Sequence, residues 1–291
     1  MKSKSPTYGG SGALIALFFS IHTFVWVGSC ILLLTVALVS NIRRHPIWVN
    51  MKLSWIFACF SFAFLLTTGQ LYKSEPIFAI CLVQAAAVSS VPILTSGTTL
   101  ALAIFLLLAT RPGPDAGGKM DRTRVTALVC VPYILPIGMF IFVLVFGLRD
   151  RGQVTLAKDW MVCGIRDPAV GHACNIAVVV IMLPTVIIEG WTITFVYRRR
   201  QVAGPNILST LIRLSIFTFF GVLAIAISFS SRHFKTAIQM AVGNILQSLP
   251  PLAFIILFGL QRDILDTWAF WRREPLGRPR EPNRASRMTI A

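Results

Sequence analysis

Acidic side chains are scarce in this chain. Eleven Asp and Glu occur in 291 residues, and only 13% of all residues are charged, where soluble domains carry about 25%. With 55% hydrophobic residues and a mean hydropathy of +0.74, the chain cannot cover a soluble surface, and lipid has to be its solvent. The scarcity also limits chemistry. No two carboxylates fall at one depth, and no Ser-His-Asp set can be assembled. His22, His45, His172 and His233 lie at different depths or on different sides, which excludes one intramembrane zinc site. No catalytic residue, metal or cofactor is expected. No Asn-x-Ser/Thr sequon occurs, and no internal repeat of the kind common in transporter folds is visible.

What the chain has in quantity is apolar length. A spanning helix needs about 20 mostly apolar residues. Seven segments qualify: 13–40, 48–71, 77–110, 125–147, 174–197, 207–229 and 236–259. The first, Ala13 to Ser40, is far longer than the roughly 7–15 residues of a signal-peptide core, so it reads as the first span. The breaks carry turn or charge chemistry, as in Arg43-Arg44 before Pro46, Arg111-Pro112-Gly113-Pro114, and Arg198-Arg199-Arg200 ahead of Gly204-Pro205. The longest loop, 148–173, holds Trp160, Cys163 and Asp167-Pro168.

The formal net charge is +16. The basic residues lie between apolar blocks instead of on one polar face, so topology and not nucleic acid accounts for them. With the N-terminus outside, 16 Lys and Arg fall on the inner side and 9 on the outer; Lys52 and Arg213 lie within spans. The asymmetry predicts an outer N-terminus and an inner C-terminus.

The third segment would extend about 50 Å as a helix, against a hydrocarbon core of about 30 Å. Its middle is rich in small hydroxyl residues, Ser89, Ser90, Thr95, Ser96, Thr98 and Thr99. Such a helix belongs at the centre of a bundle, with its hydroxyls bonding across to other helices. After Gly259, Ile264, Leu265, Trp268 and Trp271 share one helical face opposite Arg262, Asp263 and Asp266, which predicts an interfacial amphipathic helix over 260–271. The tail, 272–291, is basic and rich in Pro and Ser, a disordered cytoplasmic composition. The expected organisation is thus an extracellular N-terminus (1–12), an all-α seven-helix transmembrane domain (13–259), the amphipathic helix, and the tail.

Seven spans, an outer N-terminus, a long central third helix and an amphipathic helix after the seventh together resemble the G-protein-coupled receptor superfamily, over nearly the whole chain. The resemblance implies a disulfide from Cys81, at the outer end of the third helix, to Cys163 in the long outer loop; Cys174 is the rival partner. A tryptophan shortly before the loop cysteine, Trp160, is similar to the cAMP-type and secretin-type branches. Rhodopsin-type marks are missing: the third helix ends Thr110-Arg111-Pro112, the second has no Asp and the sixth no Pro. The seventh reads Ser248-Leu249-Pro250-Pro251-Leu252-Ala253-Phe254, and 237–259 contains no lysine for a retinal Schiff base. The likeness is therefore to divergent receptors of fungi and protists. It implies an unknown extracellular ligand, a heterotrimeric G protein as cytoplasmic partner, and residence in the plasma membrane. A seven-span small-solute transporter or channel is the competing reading.

Candidate functional residues follow. Glu189 is the one acidic residue well inside a span, and such a group has to face the bundle, which favours an interhelical role. Asn244, Gln247, Ser248 and Pro251 recur at i, i+3, i+4 and i+7 as one polar stripe, with Pro250 and Pro251 marking a kink and a candidate switch. Gln84, Ser89, Gln239 and Asn244, under a cap of Trp160, form a candidate ligand pocket between the third, fifth and seventh helices; interhelical packing is the alternative for each. Arg111, Lys119, Arg198, Arg199 and Arg200 are candidate G-protein contacts, with topology anchoring as the alternative.

Overall fold

The computed structural model describes residues 11–39, 44–71, 73, 75–110, 120–157, 160–198, 205–230 and 236–259. Seven helical segments are long and apolar enough to cross a membrane. The first is α1 (Ser11–Leu38), the second α2 (Pro46–Thr67) and the third α3 (Phe78–Thr110). The fourth is α4 (Arg122–Cys130) continued through a 3₁₀ turn (Val131–Tyr133) into α5 (Ile134–Arg149). The fifth is α6 (Pro168–Arg198), the sixth α7 (Pro205–Ser230), and the seventh α8 (Ala237–Gln247) followed by α9 (Leu249–Gly259). The molecule is an all-α seven-helix bundle and a multi-pass membrane protein. The 260–271 helix, the 272–291 tail, and Arg111, Lys119, Arg199 and Arg200 lie outside the described residues.

α3 is the axis. It packs on α2, α5, α6 and α7, while α1 closes the ring between α2 and the seventh span. In its apolar window 67% is buried, against 11% in the fourth span. Small residues permit this. A Cβ on Gly97 would sit 3.2 Å from Cβ of Pro132, so glycine lets α3 approach the break in the fourth span. The α3 hydroxyls depart from the sequence reading. Ser89, Ser90, Thr95, Ser96 and Thr99 donate to carbonyls three or four residues back in α3. Thr98 alone among them also meets another helix, 2.9 Å from the Ser54 hydroxyl of α2. A hydroxyl that satisfies itself locally needs no partner and lets the helix pack by shape.

One proline shapes the fourth span. Pro132 brings no N–H to the helical ladder, and the chain tightens to a 3₁₀ turn there. Asn50 of α2 compensates: its Nδ2 donates to Val129 O at 3.3 Å, and its Oδ1 accepts from the Tyr133 hydroxyl at 2.5 Å. Asp167-Pro168, read from sequence as loop chemistry, instead opens α6. Pro168 is its first residue, and the Asp167 carboxylate accepts from Ala169 N–H at 2.8 Å, so the fifth span starts six residues earlier than its apolar run.

The loop before α6 holds a feature that apolar periodicity did not reveal, an antiparallel hairpin of β1 (Val154–Leu156) and β2 (Cys163–Ile165). Its register pairs Leu156 with Cys163. Cys163 is bonded to Cys81 of α3, and Cys174 is a free thiol held 3.1 Å from Ser89 O. Gln84 stands one turn below Cys81. It accepts from Cys163 N–H at 2.9 Å and donates to Ser61 O and Phe62 O of α2 at 3.3 and 3.4 Å. The hairpin thus lies as a plug over α2 and α3, with Met161 fully buried beneath it.

At the opposite end, His45 caps α2. Its Nδ1 accepts from Ile47 N–H at 3.4 Å, and its ring stacks on Phe105 at 4.2 Å.

Two outcomes are expected. The disulfide closes 82 residues, so reducing it or making Cys81→Ser should cost about 4 kcal/mol of stability; thermal unfolding in detergent with and without reductant measures this. Burial pushes the His45 imidazole below its usual value of 6.5. Its folded value is the lower one, so its contribution is complete above pH 6.5 and is lost as pH falls through the folded value. Thermal midpoints between pH 8 and 5 should show a loss that His45→Asn, which can still cap, does not share.

Candidate functional site

A cavity of about 150 Å³ opens in the middle of the bundle, bounded by α2, α3, α6, α7 and the seventh span. Apolar walls dominate, with Val91 and Pro92 from α3, Val178 and Met182 from α6, and Ile225 from α7 among them. No side chain lining it is charged. Its polar groups are few. Thr95, Ser96 and Thr99 spend their hydroxyl protons on the α3 backbone. The Ser228 hydroxyl is 3.1 Å from Asn175 Oδ1, joining α7 to α6 across the cavity. Gln247 lines the cavity with an amide that has no hydrogen bond to any described residue. A mostly apolar wall with one free amide is the character of a site for a small uncharged molecule.

The seventh span breaks at this depth. α8 ends at Gln247, Ser248 forms the cap, and α9 restarts with Pro250 and Pro251 in its first turn. Two consecutive prolines remove two N–H donors from the ladder. Ser248 repairs part of the gap: its N–H reaches Ile245 O and its hydroxyl donates to Asn244 O at 2.9 Å. Gln247, Pro250 and Pro251, read from sequence as a switch, are all cavity-lining residues.

The pocket residues taken from polarity are placed elsewhere, and none lines the cavity. Gln84 is fully buried in the contacts that hold the hairpin. Ser89 is half-buried and bonded to Ala85 O. Trp160 packs in the apolar cluster under the hairpin, with a left-handed φ of 64°. That conformation costs a non-glycine residue roughly 1–2 kcal/mol. Gln239 is exposed at the start of α8, where it completes a capping box with Thr236. Asn244 is half-buried one turn before Ser248, above the break. Polarity marked groups that hold the bundle together, whereas the cavity is made by shape.

One wall of the cavity is aromatic. Trp55 of α2 stacks on Phe254 of α9 at 5.4 Å and meets Phe217 of α7 edge-on at 5.5 Å. Phe217 also meets Phe254 and Phe258, each at 6.0 Å. Trp55 and Phe217 line the cavity; Phe254 and Phe258 do not. Beside Phe217, Thr218 donates to Glu189 Oε1 at 2.6 Å, tying α7 to α6. Glu189 is itself buried. Arg198, the last residue of α6, is exposed.

Sequence reasoning passed over Lys52. Its side chain is fully buried, and its Nζ has no hydrogen-bond partner. Nζ lies 4.0 Å from the Phe254 ring centroid and 5.4 Å from that of Trp48. Cation–π attraction is worth about 2 kcal/mol at a desolvated site, while a lysine at a helix centre costs roughly 2.5–3.5 kcal/mol on insertion scales. A sequence signal existed: a lysine inside an apolar span with tryptophans at i−4 and i+3.

No family model matches the chain, and no curated protein matches it. The fold and the site define its class, a seven-helix membrane protein with a central cavity.

The Glu189 contact predicts an asymmetry. Thr218→Val keeps the shape and strands a buried carboxyl, a cost of about 1–3 kcal/mol. The double variant Glu189→Leu with Thr218→Val removes both partners and should recover most of that loss in detergent unfolding.

Proposed function

We propose that the chain is a receptor-like signal transducer of the plasma membrane, with its N-terminus outside and no catalytic chemistry. A small, uncharged, largely apolar ligand occupies the central cavity. A heterotrimeric G protein answers it at the inner face. The observation that carries this reading is the position of the cavity. It is bounded by five of the seven spans and touches the one place where the seventh span is broken, at Gln247, Pro250 and Pro251. A ligand there contacts both a hinge-like discontinuity and the aromatic wall that leads to Phe258, near the inner end of the seventh span. Ligands shift a conformational equilibrium only through differential contacts with its states, and this cavity offers contacts on five spans at once.

Further support comes from charge and from the opposite face. The excess of Lys and Arg on one side fits an inner surface facing acidic partners and anionic lipid. The disulfide-tethered hairpin closes the other side over α2 and α3. Gln247 is the group expected to bond the ligand, with Asn175 and Ser228 within the same walls.

The test is nucleotide exchange on a panel of Gα subunits in membranes carrying the protein, with membranes lacking it as reference. Exchange above the reference with at least one Gα is expected. Ala224→Phe places a phenyl ring in the cavity, whereas Ala226→Phe, on the exposed face of α7, does not. The first should abolish or lock the exchange rate at equal surface level, and the second should leave it unchanged. Absence of exchange with every Gα, together with solute flux into vesicles, would replace the receptor with the transporter or channel reading.

A further inference from the structure

Three nitrogen donors are buried without partners on one face of α2. They are Trp48 Nε1, Lys52 Nζ and Trp55 Nε1. Their spacing, i, i+4 and i+7, puts them within about 60° of arc on a helix. Lys52 and Trp55 both pack on the Phe254 ring of α9, and Lys52 also reaches the Trp48 ring. Trp48 and Lys52 are fully or almost fully buried, and Trp55 nearly so. No acceptor from any described residue serves these nitrogens.

The charged neighbour that acts on Lys52 is a second cation, Arg44, whose guanidinium lies 5.3 Å from the Trp48 centroid. Arg44 just before α2, then Trp48 and Lys52 within it, thus run cation, indole and cation. The buried carboxyl of Glu189 is engaged with Thr218. Buried polar groups in folded proteins are almost always paired, and buried charges are neutralised or paired. Three buried donors, one of them an ammonium, ask for an acceptor with one negative charge.

We infer that the α2–α9 contact is a binding site for a small monovalent anion of the halide class, held by Lys52 Nζ and the Trp48 and Trp55 indole N–H groups, with Arg44 at its outer edge. A single ammonium calls for a single negative charge. A halide accepts from N–H donors in any direction, so it fits a site whose donors come from a rigid helix face. It also gives up its water more readily than sulfate or phosphate. The site would pin α2 to α9 below the proline break, independently of whether the central cavity takes a ligand.

Purified full-length protein in detergent, with sodium and ionic strength constant, provides the test through its thermal midpoint as chloride replaces gluconate. A saturable rise is expected with chloride and bromide, and none with sulfate. Lys52→Met should remove the dependence. Trp48→Phe and Trp55→Phe keep the aromatic packing but delete one donor each, and each should raise the half-saturating chloride concentration about tenfold. The tryptophan variants keep the proposal testable if Lys52→Met fails to fold. A midpoint indifferent to chloride, or equally responsive in Lys52→Met, would overturn it. So would a loss of stability confined to Asp263→Asn or Asp266→Asn with no halide effect, since the counter-charge would then belong to the segment after α9. None of these measurements uses signalling, so their failure leaves the receptor reading as it stands.

Discussion

A polar group inside a bilayer has no water to fall back on, so each must find its partner within the protein. That constraint explains most of the contacts that give this bundle its form. The α3 hydroxyls bond to their own backbone, which frees α3 to sit at the centre and touch its neighbours through small residues. Asn50 is spent on the ladder defect at Pro132. Ser248 serves the defect before Pro250. Gln84 divides its amide between α2 and the hairpin. Each polar residue of this kind stands where backbone continuity fails or where a non-helical segment meets a helix.

The constraint also separates what holds the structure from what is available to a ligand. Groups with satisfied bonds are poor binding groups, because a ligand must break the existing bond to use them. Gln84, Ser89 and Gln239 are in that condition. Gln247 is not, and it faces the cavity. The unpartnered nitrogens of Trp48, Lys52 and Trp55 are the largest exception in the bundle. Of these residues Trp55 also lines the cavity, whereas Trp48 and Lys52 do not.

Much of this fold was legible because lipid imposes length. Seven apolar runs gave seven spans, and the run 77–110 became α3 over Phe78–Thr110 with the centrality that its small hydroxyl residues implied. The Cys81–Cys163 bond came from the resemblance and not from spacing. The hairpin was not legible: Val154–Leu156 and Cys163–Ile165 are three residues each, too short for alternation to register. The capping role of Gln239 was legible, since Thr236-x-x-Gln239 is a capping-box pattern, but its polarity was read as a ligand contact. The cavity could not be read at all. It arises from how Met182, Phe217 and the Pro250-Pro251 turn fail to fill one another's space, a property of three helices jointly.

The aromatic wall connects these two kinds of site. Trp55 lines the cavity with its ring and carries an unpartnered nitrogen on the α2 face shared with Lys52. Phe254 receives Trp55 on one side and the Lys52 ammonium at 4.0 Å. A movement of the seventh span at Pro250–Pro251 therefore displaces the ring against which both are packed. Close-packed interiors shift between discrete arrangements instead of deforming smoothly. Trp55, which lines the cavity, and Lys52 thus pack on the same ring of α9, that of Phe254. The link is contiguous packing through two rings, Trp55 and Phe254, and it requires no longer path through the bundle.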